Sequence, residues 1–119
     1  MILTKNYKAI INDEFDFSES IIEDINFINC SDLEIKVFYF FDPYKDRTLK
    51  IIFKDCEEYI INNKAVVKNK KEFKTVTVHQ EIEGFTINNN NGLTVEIATN
   101  FEKDYIKLKC SEVWVEMIE

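Results

Sequence analysis

Glycine, proline, histidine and arginine are all scarce in this 119-residue chain, which contains 2 Gly, 1 Pro, 1 His and a single arginine, Arg47. Loops that cradle phosphates depend on glycine, and neither the P-loop nor the dinucleotide-binding glycine pattern is present. The GxSxG and HExxH patterns of common hydrolases are also missing. These absences argue against the familiar enzyme classes, so we expect a non-catalytic protein without a cofactor.

Cysteine is sparse as well, and Cys30, Cys56 and Cys110 are far apart in the sequence. Together with one histidine they form no zinc-binding pattern, so we expect no metal site and three reduced cysteines that pack as small apolar side chains. There is also no apolar run long enough to span a bilayer, and the first ten residues do not resemble a signal peptide. We therefore expect one cytoplasmic domain, residues 1–119, with no membrane contact.

Positive charge is in deficit, because the formal net charge is −7 at pH 7. Nucleic acids and anionic membranes are bound through basic surfaces, so this balance argues against both as partners. Two explanations remain open at this point. The negative charge serves either a basic protein partner or solubility alone.

The clearest structural signal is the stretch Leu33–Phe53, which predicts two antiparallel strands joined by a loop. Apolar residues alternate with polar ones on both sides of the loop, as expected for strands with one buried face. Pro43 lacks a backbone N–H and is therefore placed in the connection, Asp42–Arg47.

Similar short segments recur along the rest of the chain, separated by turn-forming residues. They predict strands at Leu3–Ile11, Tyr59–Ile61, Ala65–Val67, Phe73–Gln80, Ile82–Ile87, Leu93–Thr99, Tyr105–Cys110 and Val113–Ile118. Gly84 marks an expected bulge, the NNNNG run at Asn88–Gly92 an expected hairpin turn, and Ser111–Glu112 an expected bend. The predicted fold is mainly β, an antiparallel sandwich or partly open barrel with at most one short helix.

The segment Ser20–Ile28 is ambiguous. Ser20 and Glu23 match a helix capping box, and the spacing of Ile22 and Ile25 suits one face of a helix. Its second half also alternates like a strand, so we expect a helical turn at Glu19–Glu23 that leads into a strand at Asp24–Asn29.

An acidic strip at Asp13–Asp24 is the first candidate binding surface, since it contains six carboxylates and no basic residue. Phe15 and Phe17 lie within it, and they are expected either to anchor a basic partner or to plug the protein's own core. The loop Asp42–Arg47 is the second candidate, with Tyr44 as an anchor and two aspartates as charge partners. The candidate partner-binding residues are therefore Asp13, Glu14, Asp16, Glu19, Glu23, Asp24, Asp42, Tyr44 and Asp46.

Two further features are weaker candidates. His79 is the only histidine, and its position in a predicted strand places it opposite Val78, on the solvent side. A local basic patch consists of Lys64, Lys68, Lys70, Lys71 and Lys74, which we expect to balance the acidic strip or to protect a sheet edge.

The strand Leu33–Phe40, the following Leu49–Cys56 and the closing Ile106–Val115, in a small acidic chain, resemble the all-β immunity proteins of bacterial polymorphic toxin systems. That resemblance implies a protein that neutralises a basic toxin domain by stoichiometric binding. It transfers no individual functional residue to this sequence.

Three alternatives stay open beside that hypothesis. A small-ligand-binding barrel would use Phe38, Tyr39, Phe40 and Phe41 around its mouth. An enzyme would act through His79 and a nearby carboxylate. A structural subunit of a phage or secretion assembly would fit the same composition.

Overall fold

The computed structural model describes residues 2–28, 31–62, 75–100 and 104–118. Within these ranges the chain forms nine strands and one short helix. In chain order they are β1 Ile2–Asn6, α1 Tyr7–Ile11, β2 Ile21–Ile28, β3 Asp32–Tyr39, β4 Arg47–Lys54, β5 Glu58–Asn62, β6 Thr75–Asn89, β7 Leu93–Thr99, β8 Tyr105–Cys110 and β9 Glu112–Ile118.

The predicted central hairpin is confirmed. Strands β3 and β4 pair antiparallel, with Ile35 opposite Ile51 and Val37 opposite Leu49. All four of these side chains are fully buried, while the residues between them are partly exposed. The alternation in the sequence therefore did mark one inward face.

All nine strands belong to one antiparallel sheet in the order β1-β9-β4-β3-β2-β6-β7-β8-β5. The 15-residue β6 joins its two halves, because Thr75–Glu81 pairs with β2 and Ile82–Asn89 pairs with β7. Among the residues that the structure describes, the sheet is not closed, and β1 and β5 are its edge strands. This confirms the expected mainly-β, antiparallel fold with one short helix.

Two of the places where the chain passes between the two halves of the sheet are adjacent, the β4–β5 turn and the β8–β9 turn. The Ser111 N–H donates to the Lys54 carbonyl at 3.0 Å, and the Glu57 N–H donates to the Lys109 carbonyl at 2.9 Å. The expected bend at Ser111–Glu112 is thus confirmed, and it lies where the chain leaves β8 for β9 in the other half of the sheet.

The inward faces of both halves form a single hydrophobic core. Its members from β2, β3, β4 and β9 include Ile22, Ile25, Leu33, Ile35, Val37, Leu49, Ile51, Phe53, Val113 and Val115. The members from β6, β7 and β8 include Ile82, Leu93, Val95, Ile97, Ile106, Leu108 and Cys110. Since most of these side chains are aliphatic and none is more than 3% exposed, burial of apolar surface is the main stabilising term.

The N-terminal prediction is only half right, because the expected strand Leu3–Ile11 ends at Asn6 and a helix follows. The side chain of Asn6 accepts a hydrogen bond from the Lys8 N–H at 3.0 Å. Asparagine is a favoured N-cap residue because its side-chain oxygen satisfies a backbone donor that the helix leaves unpaired. This cap gives the physical reason for the change from strand to helix.

The helical turn expected at Glu19–Glu23 is wrong, because β2 begins at Ile21 and runs to Ile28. Against β3 the register skips Glu23, because Ile22 and Asp24 face the successive residues Val37 and Lys36. A β-bulge at Glu23 therefore shifts β2 by one residue relative to β3. Against β6 the same two residues face Gln80 and Thr77, so on that side the extra residue lies in β6.

The two strands predicted on either side of Glu81 are one continuous strand, β6, with a register shift between Ile82 and Gly84. The bulge expected at Gly84 and the hairpin turn before Leu93 are both confirmed. The predictions for Ala65–Val67 and for the five-lysine patch lie outside the described residues. In the described ranges, no helix is long and apolar enough to cross a membrane.

Candidate functional site

An aromatic cluster holds residues 13–19, the acidic segment that follows α1, against the core. Phe15 and Phe17 are 3% and 2% exposed, so the two rings plug the protein's own core rather than await a partner. Their centroids are 5.7 Å apart with nearly parallel planes, and both meet the edge of the Tyr39 ring at 5.9 and 5.6 Å. Each such pair contributes about 0.5–1.5 kcal/mol beyond the buried area.

Tyr39 connects this segment to the sheet through its polar atoms. Its hydroxyl oxygen accepts a hydrogen bond from the Asp16 N–H at 2.8 Å. Its carbonyl accepts another from the Asp46 N–H, also at 2.8 Å. Burial raises the pKa of the Tyr39 phenol above its ordinary value. Tyr39 therefore positions residues of both candidate surfaces, Asp16 through its side chain and Asp46 through its backbone.

Tyr44 brings the β3–β4 loop alongside the acidic segment. Its ring stacks on Phe15 with centroids 5.3 Å apart and planes 22° apart. Tyr44 is half-buried by this contact, so the expected anchor is already engaged within the molecule. Asp42 and Asp46 flank it in the loop, and both are exposed.

We call residues 13–19 together with residues 42–46 the acidic end. It contains six carboxylates and one lysine. Glu14 also forms an ion pair with Lys5 at 3.4 Å, so its charge is partly compensated. An exposed pair of this kind is weak and screened by salt, and it leaves the acidic end negative overall.

Three acids of this end sit in backbone conformations that normally favour glycine. The φ angles are 60° at Asp13, 70° at Glu19 and 63° at Asp46. Asp13 follows the last turn of α1, where its N–H donates to the Ile10 carbonyl and the Glu14 N–H donates to the Ala9 carbonyl. This pair of hydrogen bonds forms a Schellman motif, which usually has glycine at the position of Asp13.

Glu19 has a similar setting in a four-residue turn. The Ser20 N–H donates to the Phe17 carbonyl at 3.1 Å, which makes Glu19 the third residue of that turn. A positive φ at the third position is typical of a type II turn, where glycine is preferred. The left-handed conformation costs about 1–3 kcal/mol for a non-glycine residue. Asp55, His79 and Asn91 have positive φ elsewhere in the molecule.

A depression of about 340 Å³ opens between α1, the acidic segment and β6. It is lined by Ile10, Asp13, Phe15, Asp16, Phe17, Ser18 and Phe85. Apolar side chains form its floor, and the two aspartates stand exposed at its rim. The carboxylate of Asp16 is held in place because its Oδ1 accepts hydrogen bonds from both the N–H and the hydroxyl of Ser18, at 3.0 and 2.6 Å.

The structure separates the remaining candidates from the acidic end. Glu23 and Asp24 are half-buried residues of β2, and Asp24 stands opposite Lys36 of the neighbouring strand. The depression and the aromatic cluster also involve Ile10, Tyr39 and Phe85, which the sequence did not indicate as parts of this site. Phe85 packs against the core because of the register shift beside Gly84. The glycine itself was the one feature of the sequence that could have predicted this position.

The four aromatic residues proposed for a barrel mouth do not surround one opening. Tyr39 points into the core, where it is 2% exposed. Phe38 and Phe40 lie on the outer face, and the centroids of their rings are 5.1 Å apart. Phe41 packs against the core beside Tyr39. Successive residues of a strand face opposite sides, which explains the split.

His79 is exposed next to the buried Val78, as the strand pattern predicted. Among the residues that the structure describes, no group of three or more His, Cys, Asp or Glu side chains could hold a metal ion. Cys56 and Cys110 are free thiols, and Cys110 is buried in phase with Ile106 and Leu108, as expected. Cys30 lies outside the described residues.

The chain matches no protein family, no curated protein and no solved structure.

Proposed function

We propose that this chain is a non-catalytic protein-binding module that acts in the cytoplasm and binds a basic protein through its acidic end. The resemblance to immunity proteins suggests the partner class: a basic toxin domain that is neutralised by stoichiometric binding. The observation that carries the proposal is the use of Asp13, Glu19 and Asp46 at backbone positions where glycine would relieve strain.

An acid at a left-handed position costs free energy, and Asp13 additionally places negative charge at the carbonyl end of a helix, where the helix dipole disfavours it. Strained positions persist when the surrounding structure enforces them, and they are concentrated at functional sites. Solubility would be served equally well by acids at any exposed position. Three acids at strained positions on one surface are therefore better explained by binding than by solubility.

The arrangement also supplies what a rapid and specific encounter requires. Exposed carboxylates steer a basic partner towards the surface, and their effect weakens as salt increases. The aromatic cluster of Phe15, Phe17, Tyr39 and Tyr44 fixes the two charged segments relative to each other. A surface that is ordered before binding loses less conformational entropy when the complex forms.

The test is affinity capture from an extract of the organism that encodes the chain, with elution by increasing salt. The wild-type chain is compared with Asp13→Asn/Asp16→Asn and with the control Glu83→Gln/Glu112→Gln, which removes the same charge at two other exposed positions. We expect a basic protein to be retained one-to-one by the wild type and the control, and to be lost from the first variant.

Neutralisation is tested by co-expression. The captured protein is expected to arrest growth when expressed alone and to be tolerated when the wild-type chain is present. Rescue by the Asp13→Asn/Asp16→Asn variant should be impaired. A chain that captures no basic protein, or a captured protein whose toxicity it does not alter, would count against this function.

A further inference from the structure

The depression between α1, the acidic segment and Phe85 is large enough to admit a side chain of a partner protein. Its volume of about 340 Å³ lies close to the lower limit of about 300–1,000 Å³ for pockets that hold small molecules. Ile10 and Phe85 are only partly buried and offer an apolar wall.

The charge at the rim selects the chemistry of that occupant. Asp13 and Asp16 both line the depression, and Asp13 follows Asn12, the C-cap residue that ends α1. The hydrogen bonds from Ser18 fix the Asp16 carboxylate, so it is preorganised as an acceptor. A negative rim above an apolar wall complements a group with an apolar stem and a cationic head.

We infer that this depression binds one lysine or arginine side chain of the partner protein, an inference that rests on the proposed function. The charged head lies between Asp13 and Asp16 and forms charge-assisted hydrogen bonds with them. The methylene stem packs against Ile10 and Phe85, in the way that long basic side chains cover apolar surface while their heads stay polar. This socket is the anchor of the interface, a role that sequence analysis had given to Tyr44.

The inference is tested on the isolated chain with small probes, by recording amide spectra during titration. The probes are N-acetyl-arginine methylamide, N-acetyl-lysine methylamide and the uncharged N-acetyl-norleucine methylamide. We expect the two cationic probes to shift the amide signals of Ile10, Ser18 and Phe85 in a saturable manner, and the uncharged probe to leave them unchanged. The relative strength of the two cationic probes shows which basic residue fits better.

The variants sharpen the test. Asp13→Asn/Asp16→Asn should weaken binding of the cationic probes about tenfold or more, because it removes both charged acceptors. The control Glu83→Gln/Glu112→Gln should bind as the wild type does. Equal shifts from the uncharged probe, equal loss in both variants, or shifts confined to other surfaces would each overturn the socket.

The two proposals fail in different ways. If the chain captures a basic partner whether or not Asp13 and Asp16 are present, and the probes do not bind, the socket is overturned. The proposal of a protein-binding module then still stands. Probe binding without any captured partner would uphold the socket chemistry and count against the proposed function.

Discussion

The hydroxyl of Tyr39 accepts a hydrogen bond from the backbone N–H of Asp16, and this 2.8 Å contact joins the acidic segment to the centre of the sheet. The two residues are 23 positions apart in the sequence. The hydrogen bond is partly buried, because Tyr39 is 2% exposed whereas Asp16 is an exposed residue.

Tyr39→Phe removes this acceptor and is therefore expected to lower the free energy of unfolding by about 1–2 kcal/mol. Chemical denaturation measures the change. Tyr7→Phe is the matched control, since the Tyr7 hydroxyl takes part in a longer, exposed contact with Asn89 at 3.3 Å. The control should change stability by less than about 0.5 kcal/mol. Equal effects in both variants would contradict the role assigned to Tyr39.

Asp13→Gly should stabilise the fold by about 1 kcal/mol, because glycine adopts the left-handed helix ending without strain and removes a charge from the helix end. The same change should weaken partner binding. Asn91→Gly is the control, because Asn91 has a φ of 53° in the β6–β7 turn and is not one of the residues of the acidic end. It should gain stability without any loss of binding. Loss of stability in Asp13→Gly would contradict the strain argument.

Phe17→Ala should lower the free energy of unfolding by about 3–5 kcal/mol, as expected for truncation of a buried aromatic residue. The control is Phe40→Ala on the outer face, where the ring is 36% exposed and the loss should stay below about 1 kcal/mol. Denaturation by urea measures both. Similar small losses in the two variants would show that Phe17 is not part of the core.

Alkaline pH should destabilise the protein through the thiols of Cys56, which is half-buried, and Cys110, which is buried. Burial raises the pKa of the Cys56 thiol from 9.0 to about 11 and that of the Cys110 thiol to about 12. The folded state therefore holds these protons more tightly than the unfolded state does. Their contribution to stability is complete below pH 9 and is lost as the pH rises through 11 and 12.

Denaturation midpoints recorded between pH 7 and 11 check this expectation. The decline above about pH 9 should be smaller in Cys110→Ala than in the wild type, even though the variant is less stable at neutral pH. Both thiols should also react slowly with a thiol reagent at pH 7 in the folded state, because the reactive thiolate is scarce. An identical decline in both proteins would contradict the role of Cys110.

The sequence was most informative where the strands are regular. Alternation in Leu33–Phe53 predicted both the hairpin and its buried face, because each side chain's face depends only on its parity within the strand. The partners of distant strands could not be predicted in this way. Glu58 faces Lys109 across the β5–β8 pair, and nothing local to either residue specifies that contact.

The bulge in β2 explains why that segment looked helical. An extra residue at Glu23 lets Ile22 and Ile25, three positions apart, both point into the core, where each is 0% exposed. Spacing by three is also what a helix produces, so periodicity alone cannot distinguish the two. The acidic strip was visible in the sequence. Which of its acids lie in the loop and which lie in β2 depends on where that strand begins, and the local pattern did not specify this.

The most direct test of the account is the affinity of the chain for the basic partner that it captures, measured calorimetrically at low and moderate salt. The account predicts that Asp13→Asn/Asp16→Asn weakens binding at low salt by about fivefold or more and makes the affinity less dependent on salt. Glu83→Gln/Glu112→Gln should retain wild-type affinity to within about twofold. Unchanged affinity in the first variant, or the same loss in both, would contradict binding through the acidic end.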